Sequence, residues 1–178
     1  MMRVIFIGHN TKTLEELTKL CSIKYIIVED NEYRNQNIIL FCEENNIKYH
    51  KVKDNEELFN IIKNDNIDFA LMFGFGIILK QNVINHIKKI INIHNGNLRY
   101  NRGPQPLIQA ILEKRESMTL TAHLVESEKI DNGKIIIEIN LPINQNDFSN
   151  FCLFVVHLCF FYLHRRCTIC PFSIIYYR

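Results

Sequence analysis

Asp68-Phe-Ala-Leu-Met-Phe-Gly74 and the later Ile91-Asn-Ile-His94 decide how this 178-residue chain folds. The first is an apolar run closed by glycine, the pattern of a strand buried on both faces. Between the two, Val83, Ile84, Ile87 and Ile91 recur at helical spacing, so a helix leads into the second strand. Working outward, Arg3-Val-Ile-Phe-Ile-Gly8 reads as another buried strand. Thr13-Leu-Glu-Glu16 is a capping-box pattern, and Leu14, Leu17 and Cys21 carry its helix onward. Tyr25-Ile-Ile-Val-Glu29 is a strand, Ile38 and Cys42 mark a helix, Ile47 to Val52 a shorter strand, and Leu58, Ile61 and Ile62 a further helix. This alternation predicts an α/β fold: a Rossmann-like, mostly parallel sheet with helices on both faces.

After His94 the rhythm changes. Asn95 to Pro106 is rich in Asn, Gly and Pro and reads as a long loop. Leu107 to Glu116 reads as a helix, Thr119 to Val125 alternates like a strand, and Lys134 to Ile139 is another short strand. Asp131-Asn-Gly133 supplies the turn between those two strands.

Composition bounds the function classes. At 47% hydrophobic and 22% charged, the chain is an ordinary globular composition. A net charge of +2 is too small to argue for nucleic acid as a partner. No secretory signal is read at Met1-Met2-Arg3, whose apolar run breaks at Gly8. No apolar stretch is long enough for a membrane span, and a cytoplasmic location is expected, with Cys21 and Cys42 as buried thiols.

The averages conceal a split. Residues 1–150 hold all 21 Asn and all six Gly, with a charge of −1 from 18 basic and 19 acidic residues. Residues 151–178 contain no Asn, Lys, Asp, Glu, Gly, Gln or Ala, yet hold four of the six Cys and five of the 12 Phe. The expected division is a catalytic core over 1–150 and an atypical apolar, Cys-rich tail over 151–178. An altered reading frame or degraded gene end after about Asn150 would produce such a tail. The alternative is a native helix from Phe151 to Leu163, whose continuous apolar surface a homodimer interface would bury. Cys167-Thr-Ile-Cys170 is a single C-x-x-C without a second pair, a weak zinc signal.

Several polar residues stand out. There is no G-x-G-x-x-G after the first strand and no Walker loop, so neither a dinucleotide nor a nucleoside triphosphate is indicated. His9 reads as a surface loop residue. Asn92 and His94 are two apart on a strand, so both emerge on one face at its carboxyl end, where open α/β sheets place their ligand crevice. Two readings fit: they line a site, or they cap the strand by bonding loop backbone. Asp131 taken alone is an ordinary turn acid. His123 reads as structural, and Glu126 and Glu128 as solvated. Arg102-Gly103-Pro104 either binds an anion or shapes its loop. Phe73, Phe75 and Ile77 to Leu79 are either core or the wall of an aromatic slot.

Taken in order, residues 68–140 resemble the N10-formyltetrahydrofolate-dependent formyltransferase family. Phe73-Gly-Phe-Gly-Ile-Ile-Leu79 resembles its folate-side loop. Asn92-Ile-His-Asn-Gly-Asn-Leu-Arg-Tyr-Asn-Arg-Gly103 resembles the signature N-x-H…L-P-x-x-R-G. Pro106-Leu-Ile-Gln-Ala-Ile111 and Thr119-Leu-Thr-Ala-His123 follow, and Ile130-Asp-Asn-Gly-Lys-Ile-Ile136 resembles L-D-T-G-x-I-L. Three departures stand against these: Arg99 replaces the usual Pro, His123 to Asp131 is one residue longer, and the chain ends where the family continues. Tyr100-Asn-Arg-Gly103 is most similar to the sugar N-formyltransferase branch.

The resemblance implies a fold and a chemistry. Asn92, His94 and Asp131 would be catalytic; Phe75, Gly76, Ile77, Ile78 and Leu79 would hold N10-formyltetrahydrofolate, the formyl donor; Asn95, Arg102 and Gly103 would contact substrate. No metal is required. The implied reaction moves a formyl group to the amine of a nucleotide-linked amino sugar, a small-molecule substrate. Asn92 and His94 would stabilise the charge that develops on the formyl oxygen, and Asp131 would orient His94 and help remove the amine's proton. The alternatives are a truncated, inactive relative, or a transferase acting on methionyl-tRNA or glycinamide ribonucleotide. Low net charge speaks against tRNA.

Overall fold

A computed structural model describes residues 2–143 together with Val156 and Cys159. Seven strands form one sheet in the order β3-β2-β1-β4-β5-β6-β7. The strands are β1 (Val4–Gly8), β2 (Ile23–Glu29), β3 (Tyr49–Val52), β4 (Phe69–Phe73), β5 (Ile90–His94), β6 (Ser117–Leu124) and β7 (Ile135–Pro142). The helices are α1 (Thr11–Leu20), α2 (Glu32–Glu44), α3 (Asn55–Ile62), α4 (Gln81–His86) and α5 (Pro106–Leu112). β1 to β5 pair in parallel; β6 runs antiparallel to β5, and β7 to β6. The expected α/β fold with a mostly parallel sheet is present.

Alternate residues of each strand go to opposite faces, and two cores result. Val4, Phe6, Ile26, Val28, Phe69 and Leu71 pack with Leu14 and Leu17 of α1 and Ile38 and Cys42 of α2. Ile5, Ile7, Ile27, Ala70 and Met72 pack with Leu58 and Ile62 of α3 and Val83 and Ile84 of α4. Every residue of β1 and β4 is buried. Each large aliphatic or aromatic side chain so covered contributes about 1.5–3 kcal/mol. Val156 and Cys159 are helical and buried in the first core. The rest of the tail, with Cys152, Cys167 and Cys170, lies outside the described residues.

The boundaries differ from expectation in ways that have physical causes. α1 begins a turn earlier than the capping box suggested, because the Asn10 side chain accepts from the Thr13 N–H at 2.9 Å and caps it. α4 stops at His86, and Ile87 is extended, so the helix does not run into β5. α5 covers only Pro106–Leu112; Glu113 and Lys114 turn the chain, Lys114 with φ 53°. β7 extends to Pro142, beyond the expected end at Ile139. Among the described residues no helix is long and apolar enough to cross a membrane.

The chain moves from β1 outward to β2 and β3, then crosses back to β4 on the other side of β1. Crevices in open sheets form at the carboxyl ends of strands around such a reversal. The loop after β4 and the end of β5 both lie at that edge.

Candidate functional site

β5 and β6 are antiparallel in a register that sets Asn92 opposite His123 and His94 opposite Thr121. Directly opposed residues share a face. Four polar side chains therefore stand together on the face that, over β1 to β4, is apolar and covered by α3 and α4.

Asp131 reaches this group from the loop between β6 and β7. The loop lies flush on β6: a Cβ on Gly133 would fall 1.5 Å from the Leu124 carbonyl oxygen, so no side chain fits there. The Leu124 N–H donates to the Lys134 carbonyl at 2.9 Å and closes the loop. Asp131 itself has φ 45°, a left-handed conformation that costs a residue with a Cβ about 1 kcal/mol or more.

Asp131 lies between two imidazoles held in the same way. His94 Nε2 lies 2.6 Å from the Asn101 carbonyl oxygen. His123 Nδ1 lies 2.9 Å from the Leu124 carbonyl oxygen. A carbonyl only accepts, so each of these nitrogens carries a proton and donates it. The other nitrogen of each ring faces Asp131: His94 Nδ1 at 3.4 Å from Oδ2, and His123 Nε2 at 3.4 Å from Oδ1. The Gly103 N–H donates to Oδ2 at 2.9 Å. Burial alone would raise the Asp131 pKa. With both rings charged, hydrogen bonding by His123, the charge of His94, the Gly103 N–H and the charge of His123 outweigh it, and hold the carboxyl below its ordinary range.

Asn92 completes the cluster. Its Nδ2 lies 3.3 Å from Asp131 Oδ1 and 3.2 Å from His123 Nε2. With the 3.4 Å between those two atoms, the triangle is nearly equilateral. Both acceptors thus sit roughly 60° apart as seen from Nδ2, about half the spread of its two hydrogens. One hydrogen serves the Asp131–His123 pair and the other points away from it.

The structure brings the three expected catalytic residues together and adds His123, which sequence patterning took as structural. Its signal was its place on an alternating strand; only the antiparallel register, invisible in the sequence, sets it opposite Asn92. In this geometry the His94 Nε2 proton goes to the Asn101 carbonyl. Among the expected substrate contacts, the Asn95 Oδ1 atom is buried without a hydrogen-bond partner. Gly103 is spent on Asp131, and Arg102 Nε donates to the Leu98 carbonyl at 2.5 Å, shaping its own loop.

The loop after β4 is pinned at both ends. Glu29 accepts from the Gly76 N–H; Asn55 donates to the Ile78 carbonyl at 2.9 Å and accepts from the Lys80 N–H at 2.8 Å. Ile78 is 48% exposed, Phe75 and Ile77 are partly buried against the second core, and Leu79 is buried in it. Leu79 thus anchors the loop from below. His9 packs against Gly74, where a Cβ would meet its ring at 2.8 Å, so it is a loop contact rather than a free surface residue. Glu128 holds Lys80 Nζ at 3.0 Å and the Gln81 N–H at 2.9 Å.

A family model described as formyl transferase matches residues 9–150. Methionyl-tRNA formyltransferase of Blochmanniella floridana is 38% identical over 95 residues, which are 52% of this chain and 29% of that protein. The chain spans about a third of the length of the first curated relatives it matches. Two solved structures share the fold. Phosphoribosylglycinamide formyltransferase from Anaplasma phagocytophilum matches with a TM-score of 0.71 at 24% identity, over 95% of this chain and 90% of that one. A sugar N-formyltransferase from Shewanella sp FDAARGOS_354 matches with a TM-score of 0.62 at 21% identity, over 92% and 66%.

Proposed function

We propose a function from one premise: the chain belongs to the formyl transferase family. The reading is formyl transfer from N10-formyltetrahydrofolate to a primary amine. The observation that carries it is the Asp131 carboxyl group set between two imidazoles, with the Asn92 amide beside it.

The residues fit a flat heteroaromatic donor. A pinned loop with a half-exposed isoleucine lies at the carboxyl end of β4, next to the polar cluster on β5. Phe75, Gly76, Ile77 and Ile78 would hold the pterin; Leu79 would support them from the core. Bound there, the folate supplies an electrophilic formyl carbon.

The protein's own groups then divide the work. The free Asn92 N–H donates to the formyl oxygen as negative charge grows on it. As the amine nitrogen bonds to the formyl carbon it loses a proton, and Asp131 accepts it. The facing nitrogens, His94 Nδ1 and His123 Nε2, are placed to share that proton at 3.4 Å. The same proton returns to the folate nitrogen as its bond to the formyl carbon breaks.

The acceptor is a separate matter. Tyr100-Asn-Arg-Gly103 supports a nucleotide-linked amino sugar, whereas similarity to methionyl-tRNA formyltransferases supports an aminoacyl-tRNA. The second has the stronger support, because it rests on 95 aligned residues rather than on one motif. The test is to incubate the full chain with formyl donor and three acceptors: methionyl-tRNA, glycinamide ribonucleotide and a nucleotide-linked amino sugar. Mass spectrometry should find one amine heavier by a formyl group. Folate binding without transfer to any acceptor would replace this reading by that of an inactive remnant; neither binding nor transfer would end both.

A further inference from the structure

His94 is held by a carbonyl whose own residue is unusually well tied. Asn101 is 5% exposed, and all of its polar groups are engaged. Its N–H donates to the Asn97 carbonyl at 2.7 Å, and its carbonyl accepts from His94. Its side chain belongs to a closed ring of four. Asn101 Nδ2 donates to Gln109 Oε1 at 3.0 Å, and Gln109 Nε2 donates to Glu113 Oε1 at 2.9 Å. Arg115 Nη2 meets Glu113 Oε2 at 2.5 Å, and Arg115 Nη1 donates to Asn101 Oδ1 at 2.8 Å. Donors and acceptors alternate around the ring, so each amide has only one orientation that satisfies it.

Gly96 opens the space in which this contact forms. A Cβ there would fall 2.6 Å from the Asn101 carbonyl oxygen and 2.7 Å from His94 Nε2. Any side chain at 96 would press on the hydrogen bond from both ends. A loop that merely connected β5 to α5 would need neither a bare backbone at this point nor a buried asparagine.

We propose that Asn101 is a positioning residue for His94. Its carbonyl fixes the His94 proton on Nε2 and turns Nδ1 to Asp131, while Gln109, Glu113 and Arg115 hold that carbonyl in place. A shift of the carbonyl would free the ring to take the other tautomer, with Nδ1 protonated and Nε2 bare, or to rotate away from Asp131. The effect on turnover rests on the formyl-transfer reading; the effect on the tautomer does not.

The test therefore reads the tautomer directly, by long-range ¹H–¹⁵N correlation of the imidazoles in the full chain near pH 8. The wild type should show His94 protonated on Nε2. Asn101→Ala and Arg115→Met should give a mixed or Nδ1-protonated His94, with Arg115→Lys restoring part of the wild-type signal. Gly96→Ala should disturb the same signal from the other side. In the transfer assay the variants should lose kcat by about ten- to a hundredfold, with KM for the formyl donor unchanged, since the loop after β4 is untouched. An Nδ1-protonated His94 in the wild type overturns the proposal, whether or not any variant folds. So do well-folded Asn101→Ala and Arg115→Met proteins with a wild-type His94 signal. If the tautomer behaves as expected but no chain transfers formyl, the positioning stands and the proposed function falls.

Discussion

The two halves of the sheet are built from opposite materials. Along β1 and β4 the strands are parallel and buried on both faces; Ile5, Phe6, Ala70 and Leu71 have no exposed surface. From β5 to β7 the pairing is antiparallel, and the face that is apolar elsewhere carries Asn92, His94, Thr121 and His123. Buried polar groups are tolerated only when satisfied. Here carbonyls of Asn101, Leu124 and Gly96 do much of that, the last accepting from Thr121 Oγ1 at 2.8 Å. One half provides stability and little chemistry; the other concentrates chemistry and carries a left-handed aspartate.

Substitutions in the two halves should therefore separate stability from activity. The largest effect on folding is expected at Phe6, buried between β1 and the first core: Phe6→Ala should lower unfolding free energy by about 3–5 kcal/mol in urea denaturation. His94→Ala and Asp131→Asn should instead cut formyl transfer by about 10²–10⁴-fold, with a smaller loss of stability than Phe6→Ala. A His94→Ala protein with near-normal turnover would break the contrast.

His123→Leu should have an intermediate effect, about tenfold or more on kcat, because it removes one of the three groups, His123, His94 and the Gly103 N–H, that favour the Asp131 carboxylate. A purely structural His123 would show normal kcat in the folded variant.

Acid titration sharpens the comparison further. The folded-state pKa of Asp131 is lowered, so its ionised form contributes stability that is present in full above the unfolded value of about 3.9. That contribution is lost as pH falls through the lower folded value. The stability difference between wild type and Asp131→Asn should thus be constant above about pH 5 and shrink below about pH 4.

The smallest effect belongs to the far end of the parallel half. Asp68 accepts from Arg3 and Lys88, and its carboxyl is held well below the usual range, first by the Arg3 side chain. The Arg3 and Lys88 side chains are exposed and Asp68 is half-buried, so Asp68→Asn should leave transfer activity unchanged and move the melting temperature less than Phe6→Ala does.

The same contrast explains what the amino-acid sequence made legible. Continuous apolar runs such as Val4 to Ile7 and Phe69 to Phe73 announce buried parallel strands without further information. Asn92 and His94 were readable because a period of two places them on one face. Asp131 was readable only through resemblance, since a turn acid has no periodic mark and its approach depends on Gly133 lying flush on β6. The place of His123 beside Asn92 was not legible, because it comes from pairing with a strand whose partner residue is 31 positions away. Asn101 was missed for a related reason: the group that acts is its main-chain carbonyl, which every residue possesses.

In the proposed reading the pinned loop after β4 and the cluster on β5 form one formyl-transfer site. Isothermal titration of the full chain with 5-formyltetrahydrofolate tests it most directly. Saturable one-to-one binding is expected, weakened at least tenfold by Ile78→Asp on the exposed part of the loop and little changed by Asp68→Asn. No binding by the folded wild-type chain, or binding that Ile78→Asp leaves untouched, would contradict it.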